Sequence, residues 1–128
     1  ETLPGVLRAE EIAQAADSVM VARGDLGMQL GLGKLWEAEK IILRACKKYN
    51  CYSIVATGIL ENFDRGGYAS RAEAIDLALA HDMGASAVMF TAETTIGPLP
   101  IEAVQAAQDL FTAMEVPLVK EERKKMMA

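Results

Sequence analysis

Ser18-Val-Met-Val-Ala-Arg-Gly-Asp-Leu-Gly27 decides the fold. A short apolar run passes straight into Arg23-Gly24-Asp25, and Gly27 follows two residues later. A strand covered on both faces reads as continuous apolar residues rather than as an alternation, so residues 18–22 are expected as a buried parallel strand. In βα folds, ligands bind beyond the C-terminal end of such a strand. What leaves that end here is expected to be a flexible backbone carrying one cation and one carboxylate. Gly24 lets the main chain come close to a ligand and turn its N–H to an anion. Asp25 can hold a hard cation such as Mg²⁺ through oxygen. From these residues alone, simple pairing of Arg23 and Asp25 with neighbouring side chains is an equal reading.

The unit recurs along the chain. Ser53-Ile-Val-Ala56 and Ala87-Val-Met-Phe90 are further apolar runs, and Arg23, Thr57 and Thr91 stand at corresponding exits 34 residues apart. Between the runs lie helical patterns. Lys34–Cys46 places Leu35, Ala38, Ile42 and Ala45 on one face. Ser70-Arg-Ala-Glu73 is a capping box, opening a helix that passes Ile75, Leu77, Ala78 and Leu79 and stops near Gly84. Pro100 suits a first helical position ahead of Ile101, Val104, Ala107 and Leu110. A helix over roughly Val6–Ala16 precedes the first strand. The order α-β-α-β-α-β-α requires parallel strands.

Length constrains what this order can build. Sheets usually have about 4–6 strands, and a barrel of eight βα units needs about 250 residues, against 128 here. The chain opens on a helix, so a first strand is expected to be missing. The expected fold class is α/β, the second half of a (β/α)8 TIM barrel with parallel strands alternating with helices. A small open α/β sheet completed by another chain is the competing arrangement.

Val19-Met-Val-Ala-Arg-Gly-Asp-Leu-Gly27 resembles the sixth-strand signature of the pyruvate kinase family. The family's later motifs follow in order: Val55-Ala-Thr-Gly-Ile-Leu-Glu61, Ser70-Arg-Ala-Glu73, Thr91-Ala-Glu-Thr-Thr-Ile-Gly97 and Leu99-Pro-Ile-Glu-Ala-Val104. The likeness runs from Gly5 to about Ala107 without a gap. It implies that residues 1–128 are a partial catalytic barrel domain, about strands six to eight with flanking helices. It further implies transfer of a phosphoryl group from phosphoenolpyruvate to ADP, giving pyruvate and ATP, with Mg²⁺ (or Mn²⁺) and K⁺ as cofactors. Asp25 and Glu1 are the implied metal ligands. Ala22, Arg23, Gly24, Asp25 and Thr57 are the implied substrate-binding residues, the first three largely through backbone groups, and Thr57 is the implied catalytic hydroxyl. Such chemistry is mostly positioning plus relief of charge on the moving group, and a metal also stabilises an enolate as it forms.

By the same resemblance the catalytic lysine would precede Glu1. The nucleotide clamp, the cap domain and the K⁺ ligands would also lie in an N-terminal portion. The 128-residue piece alone is therefore expected to be inactive until the remainder of the barrel, or another chain, completes the site. Several positions depart from the family pattern. Gln29 replaces a glutamate, Gly58 a glutamine and Ile96 a lysine, all near strand ends. They favour a second reading, a catalytically lapsed pyruvate-kinase-like structural or interaction subunit. A standalone α/β module that binds a phosphorylated metabolite at its three strand exits is a third, and length weighs against it.

The remaining features narrow the class. A net charge of −5 disfavours nucleic-acid binding, which needs a basic face. No apolar run nears the ~20 residues that span a bilayer, and a cytoplasmic location is expected. Apolar helix faces and sheet edges point to a homo-oligomer or a larger parent chain. Cys46 is expected as a buried thiol, with a Cys46–Cys51 disulfide the alternative. His81 reads as a helix-end residue and Trp36 as packing or an interface anchor. Glu93 at a strand exit reads either as functional or as half of a salt bridge. The run 121–125 reads as a linker.

Overall fold

Three parallel strands, β1 (Ser18–Ala22), β2 (Tyr52–Ala56) and β3 (Ala87–Met89), lie side by side in the order β1-β2-β3 in the computed structural model. The structure describes residues 1–128, apart from the side chains of residues 120–123. Of the run read as a linker, residues 121–123 therefore lie outside the described side chains. The register pairs Val21 with Val55 and Val55 with Val88. Just before β3, Ser86 fastens the sheet: the Ser53 amide donates to the Ser86 hydroxyl at 3.0 Å, and the Ser86 amide to the Ser53 hydroxyl at 3.1 Å. Val21 and Val55 are fully buried, and Val19 and Val88 pack beside them. On the opposite face Met20, Tyr52 and Met89 remain exposed. The strands are thus covered on one face, and the two-sided burial expected of the apolar runs is absent. Their composition suits a second layer that these residues do not supply.

The covering layer is helical. α1 (Leu3–Leu7) and α2 (Ala9–Ala15) precede β1, α3 (Arg23–Leu30) and α4 (Leu32–Lys48) join β1 to β2, and α5 (Arg71–Asp82) leads to β3. After β3 come α6 (Ala92–Thr95), α7 (Pro100–Glu115) and α8 (Leu118–Met127). The capping box forms in full: the Glu73 amide donates to the Ser70 hydroxyl at 3.1 Å, and the Glu73 carboxylate accepts from the Ser70 amide at 2.9 Å. Gly84, at φ +83°, ends that helix in the left-handed conformation a glycine permits. α4 buries Ala38, Ile42, Leu43, Ala45 and Cys46 against the sheet. Each large side chain buried this way is worth about 1.5–3 kcal/mol. Cys46 and Cys51 are both buried free thiols, so the disulfide alternative is not realised.

Two expectations need correction, and a third helix shows a packing the sequence did not specify. The helix read over 6–16 is two helices, because Thr2 caps an earlier start by accepting from the Gly5 amide and the backbone leaves helical geometry at Arg8. The strand exit read as a flexible backbone is helical from Arg23 onward, and Asp25 lies in that helix's first turn, where a carboxylate complements the positive end. α7 turns Ala103 and Ala107 inward and leaves Ile101 and Val104 exposed. The small alanines allow close approach, and Phe111 and Met114 complete the contact.

Candidate active site at the strand exits

Each strand opens into a helical turn. α3 starts directly after β1, a 3₁₀ turn (Glu61–Arg65) follows β2 by five residues, and α6 follows Thr91 beyond β3. Parallel pairing puts all three exits on one edge of the sheet.

Arg23 is the hub of this edge, but not as a ligand-facing cation. Its side chain is 9% exposed and is committed inward. Nε donates to the carbonyls of Ala56 and Thr57, each at 3.2 Å, and Nη2 donates to the Thr57 carbonyl at 2.7 Å. Nη1 donates to Asp76 Oδ1 at 2.6 Å and stands 4.0 Å from Glu39 Oε1. The pairing reading therefore holds for the Arg23 side chain, and only its backbone is available at the exit. Glu39 is buried on α4, and among the described residues its Oε1 has no hydrogen-bond donor. Burial pushes its carboxyl above the usual range; Arg23 opposes this and Asp76 adds to it.

Thr57, the first residue past β2, is exposed and has φ +77°. A β-branched residue in the left-handed region is a steric outlier, costing about 1–3 kcal/mol that the surrounding structure must offset. Gly58 follows at φ +66°. The Thr57 side chain lies over Gly24: a Cβ built on Gly24 would sit 3.2 Å from Cγ2 and 3.7 Å from Oγ1. The structure thus brings together the first turn of α3, Gly24 and Asp25 included, and the Thr57 hydroxyl. Ala22, half-buried, ends β1 directly beneath this turn.

Asp25 is exposed, and among the described residues no cationic side chain pairs with it. Gln29 stands one turn further along α3, and its Oε1 accepts from the Leu3 amide at 3.1 Å. That bond draws the first residues of the chain, with the exposed Glu1 two positions before Leu3, toward the same helix. It also gives Gln29 an occupation of its own. Among the described residues, no cluster of three or more His, Cys, Asp or Glu side chains converges as a metal cage. Mg²⁺ is usually held by one or two carboxylates together with substrate phosphate oxygens, so an exposed, unpaired Asp25 fits such an ion and a closed protein cage is not required.

Glu93 is buried and accepts from the Thr91 amide at 2.7 Å, tying the exit of β3 to α6; among the described residues the salt-bridge reading is not seen. Nearby Asp64 has a buried oxygen that meets no donor among the described residues. Burial, then the charges of Glu93, Glu61 and Glu73, hold its carboxyl above the usual range. His81 lies at the end of α5, stacked on Phe111, away from the exits. Trp36 is partly exposed on α4. Asp76 and Glu39 escaped the sequence reading. The one available signal was an acid next to core positions: Glu39 after Ala38, and Asp76 before Leu77.

Comparison with known proteins places this edge in context. The family model described as "Pyruvate kinase, barrel domain" matches residues 1–104. The chain is 42% identical over 105 residues to a pyruvate kinase of Methanocaldococcus jannaschii, covering 82% of this chain and 24% of that protein. Against the pyruvate kinase of Thermotoga maritima it is 41% identical over 105 residues, covering 82% and 22%. Against that of Chlamydia trachomatis serovar D it is 39% identical over 111 residues, covering 87% and 23%. A crystal structure of a pyruvate kinase from Cryptosporidium parvum superposes with a TM-score of 0.84 at 34% identity, over 88% of this chain and 23% of that one. The chain spans about a quarter of the length of the curated relatives it matches.

Proposed function

Because the chain belongs to the pyruvate kinase family, matching its barrel domain, we propose that the protein containing it transfers a phosphoryl group from phosphoenolpyruvate to ADP, giving pyruvate and ATP. Residues 1–128 form about strands six to eight of the catalytic barrel, with their helices. The observation that carries this reading is the meeting of Gly24, Asp25 and Thr57 at one strand edge, where the family motifs fall.

In this reading the Ala22-Arg23-Gly24 backbone orients the pyruvate carboxylate, and the missing side chain of Gly24 leaves the Thr57 side chain room to stand over the same turn. Asp25, with Glu1, would hold a Mg²⁺ or Mn²⁺ ion, which when bound supplies charge stabilisation to the phosphoryl oxygens and the developing enolate. The Thr57 hydroxyl, fixed by its unusual backbone, presents a hydrogen-bonding group to the reacting substrate. K⁺ is assigned to portions outside this chain, as are the catalytic lysine and the nucleotide clamp, so the piece alone is inactive. The remaining barrel strands would cover Met20, Tyr52 and Met89, which are exposed here. A cytoplasmic homo-oligomer fits this role. No described helix is long and apolar enough to cross a membrane.

The test is an intact mass of the native product coupled to a phosphoenolpyruvate-plus-ADP assay, with and without Mg²⁺, on wild type and Asp25→Ala. Metal-dependent turnover that disappears in Asp25→Ala, with melting unchanged, supports the reading. A native protein without turnover, or an Asp25→Ala variant as active as wild type, overturns it.

A further inference from the structure

We infer that Asp76, acting through Arg23, is a positioning residue that fixes where the Thr57 hydroxyl stands. The inference rests on the phosphoryl-transfer reading and deepens it.

Thr57 occupies a backbone conformation that a β-branched residue avoids. Something must hold the peptide there, and the exposed Thr57 has little packing of its own to do it. What does hold it is the Arg23 guanidinium, with two donors on the Thr57 carbonyl, at 3.2 and 2.7 Å, and one of them shared with the Ala56 carbonyl. A guanidinium presents its donors in one rigid plane. With Nε and Nη2 engaged on β2's exit, Nη1 is aimed by geometry, and the acceptor that meets it is Asp76 at 2.6 Å. Asp76 belongs to α5, so the chain fastens three elements at one point: α3 through Arg23, the end of β2 through Thr57, and α5 through Asp76.

A second acceptor stands in reserve. Glu39 Oε1 is 4.0 Å from Nη1 and has no donor of its own among the described residues. While Asp76 holds Nη1, Glu39 stays outside hydrogen-bond reach. Without the Asp76 charge, the strongest remaining pull on the guanidinium is toward Glu39 on α4. Following that pull turns the fork away from the Thr57 carbonyl. Released, Thr57 can relax out of the left-handed region, and its side chain then leaves its place over Gly24. The hydroxyl shifts although nothing that touches substrate has been altered.

The experiment uses the full-length native protein. Asp76→Asn keeps the shape of the side chain and removes its charge; Arg23→Lys keeps a cation but cannot make the fork. Both should lower kcat about 10–100-fold, the scale expected for a misplaced reacting group, while KM for phosphoenolpyruvate changes less than about threefold. Glu39→Gln alters a buried carboxylate beside the same guanidinium and should leave kcat unchanged. A crystal structure of Asp76→Asn, or of Arg23→Lys should the first not fold, should show Thr57 away from its left-handed φ. Thr57 unmoved in that structure overturns the inference, whatever the turnover. An equal kcat loss in Glu39→Gln overturns it too, because the effect would then be general disturbance of a buried charge. A wild type without turnover removes the phosphoryl-transfer reading, and the variant's Thr57 geometry alone then decides whether the tether exists.

Discussion

Gly24 lies beneath the Thr57 side chain so closely that a Cβ at position 24 would stand 3.2 Å from the Thr57 methyl. The two residues come from consecutive βα units, 33 positions apart. Their contact closes the site between the exits of β1 and β2. Gly24 sits in the first turn of α3, where its backbone is helical, so space and not conformational freedom explains the glycine. Thr57 cannot yield freely, because Arg23 pins its carbonyl.

Gly24→Ala separates stability from activity. In the helix alanine is favoured over glycine by about 1 kcal/mol, which offsets a contact tight by a few tenths of an ångström. The melting temperature should hold or rise. The displaced Thr57 side chain should lower turnover by about tenfold or more. Thermal melts and the phosphoenolpyruvate assay on one preparation check both halves, and unchanged turnover would show that the Thr57 hydroxyl tolerates the shift.

The strands, the capping box and the stop at Gly84 were legible because each is local: an apolar run, a Ser-x-x-Glu spacing, a glycine after a periodic stretch. The network around Arg23 was not. Its partners are 33, 34 and 53 residues away, and whether a cation at a strand exit faces solvent or turns under the sheet depends on which helices arrive. The helical start at Arg23 was likewise hidden, since two glycines in eight residues argue for a loop until α4 packs against them. The inward face of α7 was not legible for a related reason. Ile101 and Val104 are the larger apolar residues, but close packing selected the alanines at 103 and 107.

Ser70→Ala and Glu73→Ala should differ in cost. Ser70→Ala removes one cap bond, worth about 0.5–2 kcal/mol. Glu73 does more: one carboxylate oxygen accepts from the Ser70 amide and the other from the Asn62 amide, both at 2.9 Å. Glu73→Ala should therefore destabilise further, and loosen the 3₁₀ turn that follows β2. Urea denaturation of both variants measures the order, and amide exchange at Asn62 reads the turn directly. Equal costs would mean the Asn62 bond adds nothing net.

Cys46 should be nearly inert in the folded protein. Burial, reinforced by the neighbouring Cys51 thiol, pushes it up to about 11. At pH 8 about one molecule in a thousand would carry the reactive thiolate. Iodoacetamide should leave Cys46 unlabelled under native conditions and label it promptly in urea, followed by peptide mass. Labelling of native Cys46 at the rate of a free thiol would show that α4 opens far more readily than its packing implies.

Glu39→Gln tests the balance of forces on the one fully enclosed acid beside Arg23. Three groups decide its charge: burial favours the neutral acid most, Arg23 on α3 favours the carboxylate, and Asp76 on α5 opposes it. Since burial wins, the folded state binds the Glu39 proton more tightly than the unfolded chain does. Stability then falls as pH rises from the ordinary value of 4.5 toward the raised folded value, and levels off above it. Glutamine carries no proton to lose, so the variant lacks this fall. Wild type and Glu39→Gln should be similar near pH 4, and the variant should be the more stable by pH 7.5, with the gap opening in between. Urea midpoints across that range give the sign. A gap that opens in favour of wild type would mean that the attraction of Arg23 at 4.0 Å outweighs the cost of burying the carboxylate. Glu39 would then be a working partner of the guanidinium alongside Asp76.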